Sequence, residues 1–466
     1  MVGRGIGARF LTLGGGEVFA RLCAFAATVY LARTLSPALF GIVGVAMGVM
    51  LYLSQIADGG IELVGIPLVA RQRDNVASLA EPVLAVRFVL SLTMSIVVIV
   101  AGVTVLPQPD GAILASYALS LLFAGLGVRW IHLGLERANG VAVARTLGEV
   151  VALAAMLVLV RETGDVGRVP LAHFLGAGVT AFVMLLTLQR SGVRLGWVWA
   201  PRKAAPVFQR SRHLVVFTLL GLLLFNFDLI YLRIRSGAEA AGYYAAAYTM
   251  ISFAANLIVA FAHTVLPSLT RLEADRAGRS ELYQTVCAQA YALALPVGVG
   301  AWYVSGQIIE QVFGSAYLPG VVALQWLALS IPLAALRELP VVALIAGARE
   351  DALIRVNAIT AACNVALVLV AVPRYGLAGA AAATVATELV RLALAAHFAR
   401  GVGYPVVPLR RLVKATVASA AMLAALLFFS PQALWTSIPL GAGVYGILML
   451  LMRAVRLTRR VPTLSV

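Results

Sequence analysis

Charged side chains occur inside several long apolar stretches of the sequence, where an ion is costly unless it has a partner or faces water. Glu17 and Arg21 stand four residues apart in the first stretch, so a helix presents both on one face. The planar fork of an arginine binds phosphate oxygens bidentately, and a nearby carboxylate can orient it or take a proton. Both residues are candidates for binding an anionic substrate, and Glu17 also for ion coupling. The alternative is a self-neutralising pair that stabilises the helix bundle.

Later apolar stretches contain further charges. Asp228 is a candidate proton or cation site for ion coupling, with a paired structural aspartate as the alternative. Arg87 either lines a cavity, where it would meet the substrate, or extends its guanidinium to the membrane surface. Arg337 is a candidate contact for an anionic substrate. Glu388 and Arg391 stand three residues apart and are predicted to neutralise each other.

The sequence has no pattern typical of an enzyme or a metalloprotein. Its five histidines are scattered, and its three cysteines lie in apolar stretches without pairing or metal spacing. The run Gly14-Gly15-Gly16 follows no strand and is therefore no phosphate-binding loop. We predict no enzymatic activity, no catalytic residue, no metal and no cofactor. The net charge of +16 does not indicate a nucleic-acid partner, because basic residues accumulate in the cytoplasmic loops of membrane proteins.

Membrane-spanning helices must position these charges. Of the 466 residues, 61% are hydrophobic and 12% charged, whereas a soluble domain carries about 25% charged residues. A span needs about 20 apolar residues, and a helix satisfies its own backbone in lipid. The predicted fold class is an all-α polytopic membrane protein, whose first stretch is a retained helix rather than a cleaved signal peptide. The predicted spans, about 14 in all, are residues 10–32, 38–58, 82–106, 111–133, 142–160, 169–189, 213–232, 241–266, 284–306, 319–345, 352–373, 376–399, 411–430 and 436–453.

The basic residues are distributed unevenly between the two sides of these spans. With the amino terminus inside, the inside segments carry most of the arginine and lysine that lies between spans. The outside segments carry only Arg33, Arg161, Arg168, Arg233, Arg235 and Arg374. This asymmetry predicts that both termini are cytoplasmic. No predicted outside loop is long enough for a catalytic or binding domain.

Three short patterns recur in the same order at a near-constant offset. The pattern Tyr-Leu followed by Gly occurs at 30–41 and again at 231–242. Pro followed by Arg occurs at 67–71 and at 267–271. Arg followed by Leu-Val-Leu-Val occurs at 145–160 and at 355–370. The recurrence predicts two pseudo-symmetric six-helix lobes in the same orientation, plus two C-terminal helices. The predicted divisions are an N-lobe (1–190), a cytoplasmic linker (191–212), a C-lobe (213–402), and helices 13 and 14 with a cytoplasmic tail (403–466).

Three segments resemble bacterial oligosaccharide flippases of the polysaccharide-transport family. Tyr30–Gly41 is similar to the family's first loop, Gly242–Tyr248 to the start of its eighth helix, and Asn364–Thr384 to its eleventh-to-twelfth helix junction. The resemblance extends to the multidrug/oligosaccharidyl-lipid/polysaccharide (MOP) exporter superfamily. It implies two lobes around a central cavity, and a polyprenyl-diphosphate-linked oligosaccharide as the substrate.

The predicted function is a flippase that moves this lipid across the bacterial inner membrane by alternating access, for cell-surface polysaccharide biosynthesis such as exopolysaccharide. The predicted partners are the lipid-linked substrate and membrane lipids, with polysaccharide-assembly proteins as candidates. One alternative is a multidrug/cation antiporter of the same superfamily, which would need an acidic cavity rather than the observed surplus of arginine. A membrane glycosyltransferase or polymerase would need a large outside loop. The glycan, the oligomeric state and the driving ion or potential stay open.

Overall fold

The computed structural model describes residues 2–263, 265, 269, 275–405, 409–431, 433–452, 454, 456–458 and 461–463. The chain divides into two compact units, Met1–Leu222 and Leu223–Val466. The predicted division into two lobes, a linker and a tail stays a prediction.

Unit 1 is built from helices and two short 3₁₀ turns, at Arg73–Asn75 and Thr163–Arg168. The helices are α1 (Val2–Thr34), α2 (Pro37–Asp58), α3 (Ile61–Arg71), α4 (Val76–Thr104), α5 (Asp110–Ala118), α6 (Leu121–Gly125), α7 (Arg129–Gly134), α8 (Ala138–Leu159) and α9 (Val169–Arg190). Helix α10 (Pro201–Ser236) runs across the boundary between the units, so the second part of the predicted linker is helical.

Unit 2 continues with helices and ends with a small antiparallel strand pair. The helices are α11 (Ala238–His263), α12 (Arg276–Tyr303), α13 (Ser305–Ile308), α14 (Val321–Ala328), α15 (Ser330–Ala346), α16 (Glu350–Gly401), α17 (Leu409–Phe429) and α18 (Leu434–Leu451). A π turn (Ile309–Phe313) and a 3₁₀ turn (Ser315–Gly320) precede α14. The strands are β1 (Arg456–Thr458) and β2 (Val461–Thr463).

Membrane-spanning helices dominate both units, which confirms the predicted all-α polytopic class. Within the described residues, eleven helical segments are long and apolar enough to cross a bilayer. One of them, α16, is 52 residues long and carries two of the predicted spans. Outward-facing apolar side chains such as Val103 and Phe182 remain exposed, as expected for contact with lipid. The count of about fourteen spans stays a prediction, since 10–32 and 241–266 fall on α1 and α11, outside these eleven segments.

The same backbone turn ends corresponding helices in the two units. Gly192 after α9 has φ 88°, and Gly403 after α16 has φ 87°. In both turns the glycine N–H donates to the carbonyl three residues back, and the next N–H donates to the carbonyl five residues back. A second matched pair, Glu136 and Ala348, has φ 59° and 50° before α8 and α16, with the same two hydrogen bonds. These matched turns agree with the repeat in the sequence.

The halves of α16 meet at a glycine-dependent junction. Gly376 has φ 53° and ψ −126°, a conformation that L-amino acids with side chains rarely adopt. A Cβ atom added to Gly379 would lie 2.3 Å from the carbonyl oxygen of Ala371. Gly376 thus makes a tight turn, and Gly379 a close backbone contact, where the two halves of α16 meet.

We expect Gly379→Ala to destabilise unit 2, because the added methyl group would displace backbone rather than a flexible side chain. Overpacking of this kind costs about 1–3 kcal/mol. The measurement is thermal unfolding of the purified protein in detergent. Gly300→Ala in α12 is the matched control, since a Cβ there meets nothing within 4 Å. Equal melting temperatures for the two variants would contradict the proposed close contact.

Candidate functional site

A cluster of four charged side chains lies inside unit 2, between α15 and α16. Helix α15 belongs to the segment Ser315–Ala346, and 78% of the apolar stretch in that segment is buried. The Nε of Arg337 lies 2.9 Å from a carboxylate oxygen of Glu388, and its Nη1 lies 3.2 Å from Glu338. Arg337 is only 6% exposed. Its charge is therefore compensated from two helices, and its predicted role as a substrate contact stays a prediction.

Glu388 has a second and closer partner besides the arginine expected from sequence. Arg391, on the next turn of α16, approaches Glu388 only to 3.9 Å, whereas Arg337 approaches it to 2.9 Å. The Nη2 of Arg391 also lies 3.4 Å from the side-chain oxygen of Asn357. The principal ion pair is thus made between helices, and it ties α15 to α16.

Asp228 lies on α10 and is fully buried in unit 2. Its Oδ2 accepts hydrogen bonds from the Tyr244 hydroxyl and, at 3.1 Å, from the Thr384 hydroxyl. Its Oδ1 accepts the backbone N–H of Leu229 at 2.9 Å. Three helices, α10, α11 and α16, therefore meet at one carboxyl group. Among the contacts that the structure describes for Asp228, none is made by a basic side chain.

Helical spacing connects these two clusters. Thr384 and Glu388 stand four residues apart on α16, and so lie on one face of that helix. Tyr244 and Tyr248 have the same spacing on α11, and their rings stack with centroids 6.0 Å apart. A polar strip therefore runs along the inside of unit 2 from Asp228 to Arg337.

Among the residues that the structure describes, the charges along this strip do not balance when every group is ionised. The carboxylates of Asp228, Glu338 and Glu388 outnumber the guanidinium groups of Arg337 and Arg391 by one. The two arginines lie with the two glutamates, and hydroxyl groups surround Asp228. An unneutralised carboxylate buried in a membrane protein is a site where a proton or a cation would be bound.

Unit 1 contains a buried arginine of its own, Arg87, on α4. Its Nη2 lies 2.8 Å from Asp58 Oδ1 and 2.9 Å from the carbonyl oxygen of Ala124. Its Nη1 donates to the carbonyl oxygen of Gly127 at 2.8 Å. Arg87 is 3% exposed, so its guanidinium does not extend to the surface. It instead ties the ends of α2 and α6 to α4, and its predicted role in substrate binding stays a prediction.

The first candidate pair is described only in part. Arg21 is half-buried on α1, which packs along α8. Close to it, the Thr146 hydroxyl donates to the carbonyl oxygen of Gly16 at 3.1 Å. The side chain of Glu17 lies outside the described residues. The predicted roles of Glu17 and Arg21 stay predictions.

Sequence reasoning identified Asp228, Arg87 and Arg337 but missed their partners. Tyr244 and Thr384 stand in the segments that resemble the flippase family, and neither was predicted to be a site residue. A buried carboxylate requires hydrogen-bond donors. The hydroxyl groups of these motifs, which lie on other helices, were therefore the signal in the sequence that could have identified the partners of Asp228.

Comparisons with known proteins agree with this architecture. The family profile described as "Polysaccharide biosynthesis protein" matches residues 6–273, which is more than half of the chain. No curated protein matches the sequence. The structure is similar to that of the lipid II flippase MurJ in an inward closed conformation, with a TM-score of 0.78 and 15% identity. That match covers 95% of this chain and 98% of the other.

The structure is also similar to two structures of multidrug resistance MATE family transporters of the MOP superfamily. The inward-facing one has a TM-score of 0.67 and 15% identity, and the match covers 82% of this chain and 94% of that chain. The outward-facing one has a TM-score of 0.59 and 16% identity, with 84% and 93% covered. At these identities the likeness establishes a shared fold. With its family profile and this fold, the chain belongs to the polysaccharide biosynthesis protein family and is a multi-pass membrane protein with the fold of MOP superfamily transporters.

Proposed function

We propose that this protein is a flippase that moves a polyprenyl-diphosphate-linked oligosaccharide across the bacterial inner membrane. The observation that carries the proposal is the family membership, joined to a whole-length fold shared with a lipid II flippase. A protein that takes part in polysaccharide biosynthesis and has a transporter fold is suited to export the lipid-linked glycan that other enzymes build. The direction would be from the cytoplasmic to the outer leaflet, with both termini cytoplasmic.

Alternating access would move the substrate in this proposal. The diphosphate would meet basic side chains, because arginine stays charged and its fork matches phosphate oxygens. Arg21 is the leading candidate, since it is half-buried and so partly accessible, whereas Arg87 and Arg337 are almost completely buried. The polyprenyl tail would stay in lipid.

Ion coupling would use the buried carboxyl group of Asp228. Its hydroxyl partners can donate to a carboxylate and can equally accept from a protonated carboxyl group or coordinate a cation. Since Asp228 touches α10, α11 and α16, a change in its charge acts on three helices together. Binding of one proton or one monovalent cation would restore neutrality to the buried strip.

The test of the function is export of a lipid-linked glycan by the purified protein. Proteoliposomes would contain a fluorescent undecaprenyl-diphosphate oligosaccharide, and an added glycosidase would report its appearance in the other leaflet. We expect translocation that depends on the protein and on an imposed ion gradient or potential. Absence of translocation with several glycans, under proton, sodium and electrical driving forces, would overturn the proposal.

A multidrug/cation antiporter is the second candidate, favoured by the surplus buried carboxylate at Asp228 and by the MATE fold. It predicts that cells producing the protein tolerate cationic drugs better than cells producing Asp228→Asn. The flippase proposal predicts no such difference. Drug tolerance without glycan translocation would establish the antiporter instead.

We expect Arg21→Ala to abolish glycan translocation while the protein remains folded and inserted. Arg21→Lys should be tolerated only in part, because an ammonium group does not reproduce the bidentate fork. Arg33→Ala, an exposed arginine at the end of the same helix, is the matched control. Translocation by Arg21→Ala at the rate of the control would remove Arg21 from the substrate site. Full activity of Arg21→Lys would leave only a requirement for positive charge.

A further inference from the structure

Two membrane-spanning segments of unit 1 are interrupted close to Arg87. In the segment Pro37–Arg71, the glycines Gly59 and Gly60 separate α2 from α3, with φ of 63° and 69°. The segment Asp110–Gly134 is divided into α5, α6 and α7. Backbone carbonyl groups at the end of a helix lack the partners that a continuing helix would supply. In a membrane, each of them needs another donor or a cation.

Oxygen atoms from both interruptions converge on one place. They are a carboxylate oxygen of Asp58, the last residue of α2, and the backbone oxygens of Ala124 and Gly127, at the end of α6 and just beyond it. Oxygens at interrupted membrane helices are typical ligands of a small cation such as sodium. The C-terminal end of α2 adds the negative end of its helix dipole. The place therefore has the chemistry of a cation site.

The cation that occupies this site is the guanidinium of Arg87. Its Nη2 lies 2.8 Å from Asp58 Oδ1 and 2.9 Å from the backbone oxygen of Ala124. Its Nη1 lies 2.8 Å from the backbone oxygen of Gly127. An arginine stays charged in proteins, and this one is attached to the backbone of α4. The positive charge therefore cannot leave the site when the ions outside change.

Close packing surrounds the site. A Cβ atom added to Gly125, in α6, would lie 2.6 Å from Ser91 Oγ on α4. A Cβ atom added to Gly60 would lie 3.0 Å from a backbone oxygen of α10. The second carboxylate oxygen of Asp58 accepts the backbone N–H of Glu62 at 3.3 Å. Both oxygens of the carboxylate are thus in use, and neighbouring helices pack against both interruptions.

The charge at this site is balanced, which distinguishes it from Asp228 in unit 2. Arg87 and Asp58 carry one charge of each sign and lie in direct contact. The described contacts of Asp228 come from hydroxyl groups and one backbone N–H, and none of them supplies a positive charge. The site in unit 1 therefore contains a fixed cation, whereas Asp228 can take a cation or proton that exchanges.

We propose that the interruption in unit 1 is a cation site occupied by the protein's own Arg87, so that of these two sites only Asp228 exchanges an ion. The proposal rests on the proposed ion coupling and specifies it further. These two sites together then bind and release one ion in each transport cycle, and not two. Once the side chain of Arg87 is removed, the site in unit 1 should take a free monovalent cation, and guanidinium fits best because it reproduces the lost group.

The test is the thermal stability of the full-length Arg87→Ala variant in detergent, which should melt below the wild type. Millimolar guanidinium chloride should raise its melting temperature by about 2–4 °C relative to choline chloride at the same concentration, the shift expected of a ligand at a few times its dissociation constant. The wild type, whose site is occupied, should not respond. The matched control is D58N/R87A, which lacks the carboxylate and should not respond either.

An Arg87→Ala variant that folds but does not respond to guanidinium would contradict the proposal, as would an equal response in D58N/R87A. D228N keeps Arg87 and tests the natural site even if Arg87→Ala fails to fold. We expect sodium to leave its melting temperature unchanged relative to choline. A sodium-specific rise that is lost in D58N/D228N would show that the site exchanges ions despite Arg87, and would overturn the proposal. Melting temperatures do not depend on transport, so a failure of the flippase proposal would leave this test unaffected.

Discussion

Replacing Arg337 by methionine is expected to unfold unit 2. The main effect should be on stability and not on what the protein transports. The guanidinium lies 2.9 Å from Glu388 and 3.2 Å from Glu338, and its side chain is 8% exposed. Removing it leaves two buried carboxylates without their main counter-charge. Breaking a buried ion pair from one side costs about 3–5 kcal/mol. The measurement is the melting temperature of the purified variant, together with the fraction of the protein that elutes as a single species from a size-exclusion column.

The matched comparisons separate a structural role from a binding role. Arg374→Met removes an exposed arginine from the same helix as Glu388 and should leave the melting temperature unchanged. Adding Glu388→Gln to Arg337→Met removes one of the two carboxylates that have lost Arg337 as their counter-charge. The double variant should therefore recover part of the lost stability. A stable Arg337→Met variant that has lost translocation would instead support Arg337 as a substrate contact. Equal stability and equal translocation would contradict both roles.

The membrane architecture could be predicted from the sequence because lipid imposes a strong and local rule. A helix satisfies its own backbone, so each long apolar run indicates a span. The junction at Gly376 lies where the predicted spans 352–373 and 376–399 meet, and a glycine there permits a sharp turn. The turn at Gly192 was not predicted, because its relation to Gly403 appears only when backbone angles are compared.

The charged clusters could be predicted only in part. Charge inside an apolar run marks a residue for attention, which is how Asp228 and Arg337 were identified. The choice of partner depends on how helices distant in sequence rotate against each other. Spacing within α16 favoured Arg391 as the partner of Glu388, but the closer charge comes from α15. An ion pair between residues i and i+3 of one helix contributes only about 0.2–0.5 kcal/mol of stability. Spacing within a helix therefore predicts the partner of a charge less well than the contacts between helices do.

We expect Asp228→Asn to abolish ion-driven translocation while leaving the fold intact. Asparagine has nearly the same shape, and its amide oxygen can still accept from the Tyr244 and Thr384 hydroxyls. It cannot gain or lose a proton, and it offers no negative charge to a cation. Translocation under an imposed ion gradient should fall by more than about tenfold, which corresponds to about 1.4 kcal/mol or more of lost coupling. The melting temperature should stay close to that of the wild type.

The decisive measurement compares the response of each variant to the gradient with its rate in the absence of a gradient. If Asp228 couples an ion to transport, Asp228→Asn should no longer respond to a gradient of that ion. Imposing a proton gradient and a sodium gradient in separate experiments identifies the coupling ion. Asp351→Asn makes the same change at an exposed aspartate paired with Arg349 and should keep the full response. A gradient response in Asp228→Asn equal to that of Asp351→Asn would mean that the buried carboxyl group only holds α10, α11 and α16 together. In that case Tyr244→Phe should also destabilise the protein, because it removes the hydrogen bond that joins α11 to Asp228.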